Sequence, residues 1–152
     1  MQNRLFHPIF RATVCCLLLI ASADAFAQKI NVSFKFKGIE AGYDHQTRCV
    51  LFVDEVETAT SEAKLQSKGG KFSAKITPGV HKIRIVNYAQ FEGTWEAHTI
   101  ENDYSQDCTY EAEIDFGNKK SKLEISLIFD LDKGTEAKLG GKNYALKSGQ
   151  TN

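Results

Sequence analysis

Cysteine and histidine are the residues of this chain best suited to chemistry, because a thiolate is a nucleophile and imidazole exchanges protons near neutral pH. Beyond residue 27 they are Cys49, Cys108, His45, His81 and His98. Both cysteines lie in apolar runs, where a thiol is inert. His81 lies on the same face of its predicted strand as Ile83 and Ile85, which predicts a partly buried residue. His98 is predicted to face solvent. Without a matched acid, base and nucleophile, the chain is predicted not to be an enzyme.

Metal and cofactor sites are not predicted either. Zinc needs clustered His or Cys ligands, and the chain has no C-x-x-C sequence and no closely spaced histidine pair. Residues 130–134 resemble part of a calcium loop, but the third acidic position and the terminal glutamate are missing. Gly69-Gly70 and Gly140-Gly141 separate strand patterns, which indicates turns rather than phosphate-binding loops.

Two groups of polar and aromatic side chains fall in predicted loops, where binding residues concentrate on β scaffolds. A simpler interpretation is that Phe91 and Trp95 cover the ends of the core. The first group lies in the loop of residues 38–47 and the second follows a later strand: Tyr43, Asp44 and His45; Tyr88, Phe91 and Trp95.

Residues 1–27 have the pattern of a secretory signal peptide. Arg4 and Arg11 precede a short apolar run, which ends before the small-residue tripeptide Ala25-Phe26-Ala27. The run is shorter than the roughly 20 apolar residues of a membrane-spanning helix. The sequence thus predicts cleavage before Gln28, a periplasmic or secreted protein, and no transmembrane anchor afterwards.

Cleavage would remove Cys15 and Cys16 and leave Cys49 and Cys108 in an oxidising compartment. A disulfide between these two is predicted, and closing so long a loop would stabilise the fold by about 4 kcal/mol. The alternative is a pair of buried, unbonded thiols, because cysteine is often a core residue.

Alternating apolar and polar residues recur along the mature chain, with turn residues between the runs. We expect seven or eight short strands in one all-β domain, an antiparallel sandwich of the immunoglobulin or transthyretin kind, over residues 28–132. Gly69-Gly70 predicts a tight hairpin, and the runs 108–116 and 123–131 predict a long one. Residues 133–152 are predicted to form a small hairpin or a flexible tail.

The charge balance argues against partners that are bound through net charge. The full chain has 19 basic and 19 acidic side chains. This mixture gives no electrostatic reason to expect binding to nucleic acid or to an anionic membrane.

One short segment resembles a known family. Residues 77–85, Thr-Pro-Gly-Val-His-Lys-Ile-Arg-Ile, follow an earlier strand that ends at Val53-Asp54. A Pro-Gly turn that leads into an alternating strand is similar to PEGA-type, transthyretin-like and carboxypeptidase-regulatory-like sandwich modules. The resemblance covers about residues 48–131 and implies a binding or spacer domain of the cell envelope. It assigns a role to no individual residue.

We therefore predict a non-catalytic binding or accessory protein of the cell envelope, whose partner is another envelope protein or a polysaccharide. The alternative is a small periplasmic inhibitor that inserts an exposed loop, such as residues 38–47, into the active site of a hydrolase.

Overall fold

The computed structural model describes residues 28–149, so the predicted signal peptide and the last three residues lie outside the described part. The described residues contain no helix long and apolar enough to cross a membrane. Apart from two single-turn 3-10 helices, Gln66–Lys68 and Ile100–Asn102, the regular elements are strands. They are β1 Gln28–Lys37, β2 Gln46–Val53, β3 Val56–Thr60, β4 Lys64–Leu65, β5 Gly70–Ile76, β6 Val80–Phe91, β7 Thr94–Ala97, β8 Thr109–Asp115, β9 Lys122–Asp130, β10 Gly134–Lys142 and β11 Ala145–Gly149.

The strands form two sheets, and the prediction of an all-β fold is confirmed. The small sheet has the order β10-β9-β1-β5, and the large sheet has the order β11-β8-β6-β2-β3, with β4 beside β2 and β7 beside β6. One pairing departs from the antiparallel prediction, because β1 and β9 run parallel. The strand number also exceeds the predicted seven or eight, in part because a tight turn at Asp54-Glu55, where both residues have positive φ, adds β3.

The core lies between the inner faces of the two sheets. Alternation makes every second residue of a strand face inward, so each strand contributes one apolar row. Phe34, Phe36 and Phe129 form a chain of ring contacts, with centroids 6.4 and 5.1 Å apart. The fully buried large side chains come from both sheets: Ile30, Leu51, Ile83, Ile85, Ile114, Phe116, Leu123, Ile125, Leu127 and Phe129.

Neither predicted hairpin forms. Strands β8 and β9 belong to different sheets, and their apolar faces are part of the same core. Likewise β4 joins the large sheet and β5 the small one, with a 3-10 helix between them. Gly69 ends that helix at φ +57°, and a Cβ there would meet the carbonyl oxygen of Phe34. Alternation fixes which side of a strand is apolar, but it does not fix which strand is its neighbour.

The C-terminal strands are integral to the sandwich rather than a hairpin of their own. Strand β10 pairs with β9 at the edge of the small sheet, and β11 pairs with β8 at the edge of the large sheet. The predicted separate hairpin or tail is therefore wrong for residues 134–149, which extend both sheets.

Candidate functional site

One residue of the second predicted group, Phe91, meets the first group at one end of the sandwich. The prediction of a loop is wrong for Tyr88 and Phe91, which lie in β6. The ring of His45 lies edge-on to Tyr43 and to Phe91, with centroids 6.2 and 6.4 Å away. Tyr43 is 62% exposed and Phe91 51% exposed, so Phe91 does not cover the core. We call Tyr43, His45 and Phe91 the aromatic end cluster. Gly42 and Gly93, which flank it, have no side-chain or backbone atoms of other residues within contact distance of a would-be Cβ.

Asp44, which lies between Tyr43 and His45 in sequence, has a structural role in fixing the loop. One carboxylate oxygen accepts a hydrogen bond of 2.9 Å from the backbone N–H of Ser67. The hydrogen bonds from Ser67 hold the pKa of Asp44 below its ordinary value. The next carbonyl, of His45, accepts from the N–H of Gln66 at 3.0 Å. The loop is thus held against the body of the protein.

Trp95 and Tyr88, the other members of the second group, lie on the outer face of the large sheet. The guanidinium of Arg48 stacks over the Trp95 ring at 4.5 Å, and Arg48 is the cross-strand neighbour of Tyr88. Neither aromatic residue belongs to the core cluster. Tyr88 and Phe91 are separated because residues an odd number of positions apart in a strand face opposite sides.

The same face continues with a set of paired charges, which we call the paired-charge face: Glu55, Lys82, Arg84 and Glu111. Glu55 bonds to Lys82 at 2.9 Å and to Arg84 at 3.0 Å, and Lys82 reaches Glu111 at 3.2 Å. Arg84 also stacks on a ring, that of Phe52, at 4.4 Å. The hydrogen bond from Lys82 is the main cause of a lowered pKa at Glu55.

His98 is buried, and the prediction that it faces solvent is wrong. It is 4% exposed and stacks on Tyr104 with ring centroids 4.2 Å apart. Strand β7 ends at Ala97, so the alternation that pointed His98 outward stops one residue earlier. Burial lowers its pKa to about 4, which keeps the imidazole neutral at physiological pH.

The predicted disulfide is absent, and both Cys49 and Cys108 are free and buried. Cys49 is the cross-strand partner of Asn87 in β6, and the carbonyl of Cys108 accepts the Asn87 N–H from the other side. The thiols therefore lie on either side of an intervening strand. Two spacings between neighbouring strands separate their Cα atoms by about 10 Å. A disulfide spans about 4.4–6.8 Å between Cα atoms. Burial raises the pKa of Cys108 to about 12 and that of Cys49 further, so neither thiol is ionised in the folded state.

His81 is partly buried, as predicted, and has the partners of a catalytic base. Its Nδ1 lies 2.7 Å from Asp54 Oδ2, and its Nε2 lies 3.3 Å from the hydroxyl of Thr77. However, Nε2 is closer to the Thr77 carbonyl oxygen, at 3.1 Å, and a carbonyl can only accept a hydrogen. In the form that donates Nε2–H to this carbonyl, the ring cannot also take the hydroxyl proton. In either form, the contacts of His81 tie the turn at residues 77–79 to the turn at Asp54.

No group of three potential metal ligands occurs within residues 28–149. A shallow surface depression of about 470 Å³ lies on the outer face of the small sheet. Asn31, Ser33, Ser73 and Ser126 contribute to its lining, and the sequence analysis assigned no binding role to them. The available signal was the run of lysines and serines that alternates with apolar residues.

Comparison with known proteins gives this chain no relatives from which to transfer a function. No protein-family model matches it, and no match is found among curated proteins or solved structures. The resemblance of residues 48–131 to PEGA-type and transthyretin-like modules is therefore neither supported nor opposed by these comparisons.

Proposed function

We propose that this is a periplasmic or secreted, non-catalytic binding protein of the cell envelope, which docks a partner protein through the aromatic end cluster. The supporting observation is that a loop and the end of β6, about 45 residues apart in sequence, place Tyr43 and Phe91, both more than half exposed, on either side of His45. Large aromatic side chains that remain exposed are enriched in the energetic centres of protein interfaces.

The cluster is well prepared for binding because its loop is already ordered. The contacts of Asp44 with Ser67 and of His45 with Gln66 hold the loop in place before a partner arrives. A surface ordered in advance loses less conformational entropy on association. The same contacts favour docking over the alternative of a hydrolase inhibitor, which needs a loop that extends into an active site.

The test is a comparison of two double variants of the mature protein. Tyr43→Ala/Phe91→Ala removes the exposed rings of the cluster. Val56→Ala/Val80→Ala removes exposed apolar side chains from the opposite end of the sandwich, where they are 66% and 53% exposed. Each protein is immobilised, exposed to the envelope fraction of the source organism, and any captured protein is purified and titrated against all three forms.

The proposal expects one partner that binds the unmodified protein and the valine variant equally. The loss of two interface aromatics should weaken binding at least about tenfold, because interface aromatics commonly contribute more than 1 kcal/mol each. Equal affinity for all three forms, or no captured protein in repeated trials, would contradict the proposal.

A further inference from the structure

We propose that the outer face of the small sheet is a second binding surface, specific for a linear acidic polysaccharide. This surface is separate from the aromatic end cluster, and the inference does not depend on the function proposed above. It rests on how the sheet register distributes lysine side chains in a chain whose overall charge is zero.

Register places lysines side by side on this face. Lys29 in β1 pairs with Lys75 in β5 and with Lys122 in β9, and Lys122 pairs with Lys142 in β10. One row across the whole sheet is therefore lysine. Like charges on directly opposed residues repel each other, so an anion bound over this row would relieve a cost already present.

Further lysines surround a polar strip next to this row. We call the whole surface the lysine face, and its strip consists of Asn31, Ser33, Ser73 and Ser126. Ser33 and Ser126 lie four residues along their strands from the lysine row, at a distance of about 13 Å. Their outer neighbours in the sheet are Lys71 and Lys138. The lysines of the face are all exposed: Lys29, Lys35, Lys71, Lys75, Lys122, Lys138 and Lys142.

Acidic side chains on the lysine face are too few to neutralise it. They are Glu124, which bonds to Lys122 at 2.6 Å, and Glu136. At the far end of the face, Lys37 of β1 lies opposite Asp130 of β9, and this pair leaves the net charge of the face unchanged. Within residues 28–149, five of the lysines make no ion pair: Lys29, Lys35, Lys71, Lys138 and Lys142.

The chemistry between the lysines selects the kind of polyanion. No outward residue of the four strands is aromatic, so bases of a nucleic acid would find no ring to stack on. Ile128 is the single large apolar residue facing outward, and it is half-buried, so the face has nothing to insert into a bilayer. Serine hydroxyls and an asparagine amide can exchange hydrogen bonds with sugar hydroxyls.

The form of the surface fits an extended chain. Two shallow depressions, of about 470 and 340 Å³, lie side by side along the face and share Ser33 and Ser126. The hydroxyl of Ser33 donates to that of Ser126 at 3.2 Å, which leaves the Ser126 proton free for a ligand. A polysaccharide with one acidic group per sugar would place its hydroxyls on the strip and its acidic groups beside the lysines.

The probe is alginate, a linear polymer of uronic acid sugars, with neutral dextran as the control polymer. Lys29→Gln/Lys71→Gln/Lys138→Gln removes three charges from the lysine face. Lys64→Gln/Lys82→Gln/Lys147→Gln removes three charges from lysines that pair with carboxylates elsewhere. Circular dichroism and thermal melting establish that all forms fold, and calorimetric titration at low and moderate salt measures binding.

We expect alginate to bind, dextran not to bind, and affinity to fall as salt rises. The first triple variant should lose about tenfold in affinity, since each exposed ion pair contributes a fraction of a kcal/mol, and the control triple less than about twofold. Asn31→Ala/Ser126→Ala should weaken alginate binding with no change in net charge, and Tyr43→Ala/Phe91→Ala should leave it unchanged.

Two results would overturn the proposal. Equal losses in the two triple variants would mean that net charge, rather than this face, governs binding. Duplex DNA or anionic lipid vesicles binding as tightly as alginate at the same salt would mean that the face does not select a polysaccharide.

Discussion

The two sheets of this protein distribute polar groups in opposite ways. The small sheet has apolar inward positions along its central strands, from Ile30 to Phe36 and from Leu123 to Phe129, and an outer face rich in lysine. The large sheet buries a polar group of Asn87, His98 and two thiols on its inner side, and its outer charges are largely paired. Lysines and glutamates in similar alternating strands thus give one neutralised surface and one that is free to bind an anion.

The contrast arises from register rather than from composition. On the large sheet Lys82 and Arg84 of β6 lie opposite Glu113 and Glu111 of β8. On the small sheet the corresponding neighbours of Lys29 are lysines. Cross-strand neighbours about 5 Å apart decide whether a charge is cancelled, and residues adjacent in sequence do not.

The largest expected effect concerns the two thiols of the polar interior, because labelling after unfolding will detect either both thiols or neither. Unfolding without reductant should expose two reactive thiols, at Cys49 and Cys108, since β6 separates them in the fold. Labelling with an alkylating reagent and mass spectrometry of the two peptides measures this. In the folded protein both should react slowly, because both are buried. Absence of labelling after unfolding would mean that the predicted disulfide exists.

Acid should destabilise the large sheet through His98. Its pKa is lowered to about 4 in the folded state and rises to an ordinary value near 6.5 on unfolding, so the unfolded chain binds the extra proton between these values. Stability is therefore complete above pH 6.5 and falls by up to about 3 kcal/mol as pH approaches 4. Urea unfolding at pH 7 and pH 4.5 measures the loss.

A histidine pair separates this effect from general acid sensitivity. His98→Phe should remove most of the difference between the two pH values. His45→Phe, at a partly buried position, should retain most of it, because burial is the larger cause of the lowered pKa of His98 and the charge of His45 the smaller one. The carboxylates of Asp54 and Asp115, whose pKa values are lowered by hydrogen bonds, stay ionised at pH 4.5. The same pH dependence in both variants would show that His98 is not its source.

The charge difference between the outer faces of the two sheets can be reduced by introducing glutamates into the lysine face. Ser73→Glu/Ser126→Glu places carboxylates beside Lys71 and Lys138 without altering any lysine. Alginate affinity should fall about tenfold or more, because local pairs now satisfy the lysines. Ser73→Gln/Ser126→Gln has similar size and no charge, and should bind more tightly than the glutamate variant. Equal binding by these two variants would contradict an electrostatic role for the face.

The smallest effect is expected on the paired-charge face. Glu55→Gln removes the partner of both Lys82 and Arg84 and should lower the melting temperature slightly, since exposed ion pairs contribute little. Glu113→Gln removes the same charge from the same face but breaks no ion pair within residues 28–149. Neither change should raise alginate affinity above that of the unmodified protein, because this face lacks the polar strip. Clearly tighter alginate binding by Glu55→Gln than by the unmodified protein would mean that unpaired charge alone is sufficient.

Much of the secondary structure could be predicted, but strand partners could not. Alternation from Ile30 to Phe36 and from Leu123 to Leu131 identified β1 and β9 correctly. Their parallel pairing joins segments about 90 residues apart, which no local pattern encodes. Strand β3 was missed because Asp54 and Glu55 adopt positive φ without the glycine that usually indicates such a turn.

The candidate site was predictable only as a set of residue types. Assigning aromatic side chains to the 38–47 loop and to a segment after a later strand identified Tyr43, His45 and Phe91, which the fold brings together. Trp95 and Tyr88 were assigned to the same group but face the outer side of the large sheet. The lysine face was not predicted, because equal numbers of basic and acidic residues conceal an uneven distribution.

By itself the sequence determined which side of each strand is apolar, and therefore an all-β fold with a buried core, because the period of two is a local property of the chain. Tertiary structure alone decided which strands are neighbours. That choice separated Cys49 from Cys108 by one strand and placed Lys29 between two other lysines. It depends on contacts between distant segments, where side-chain packing and backbone pairing over the whole sheet outweigh local pattern.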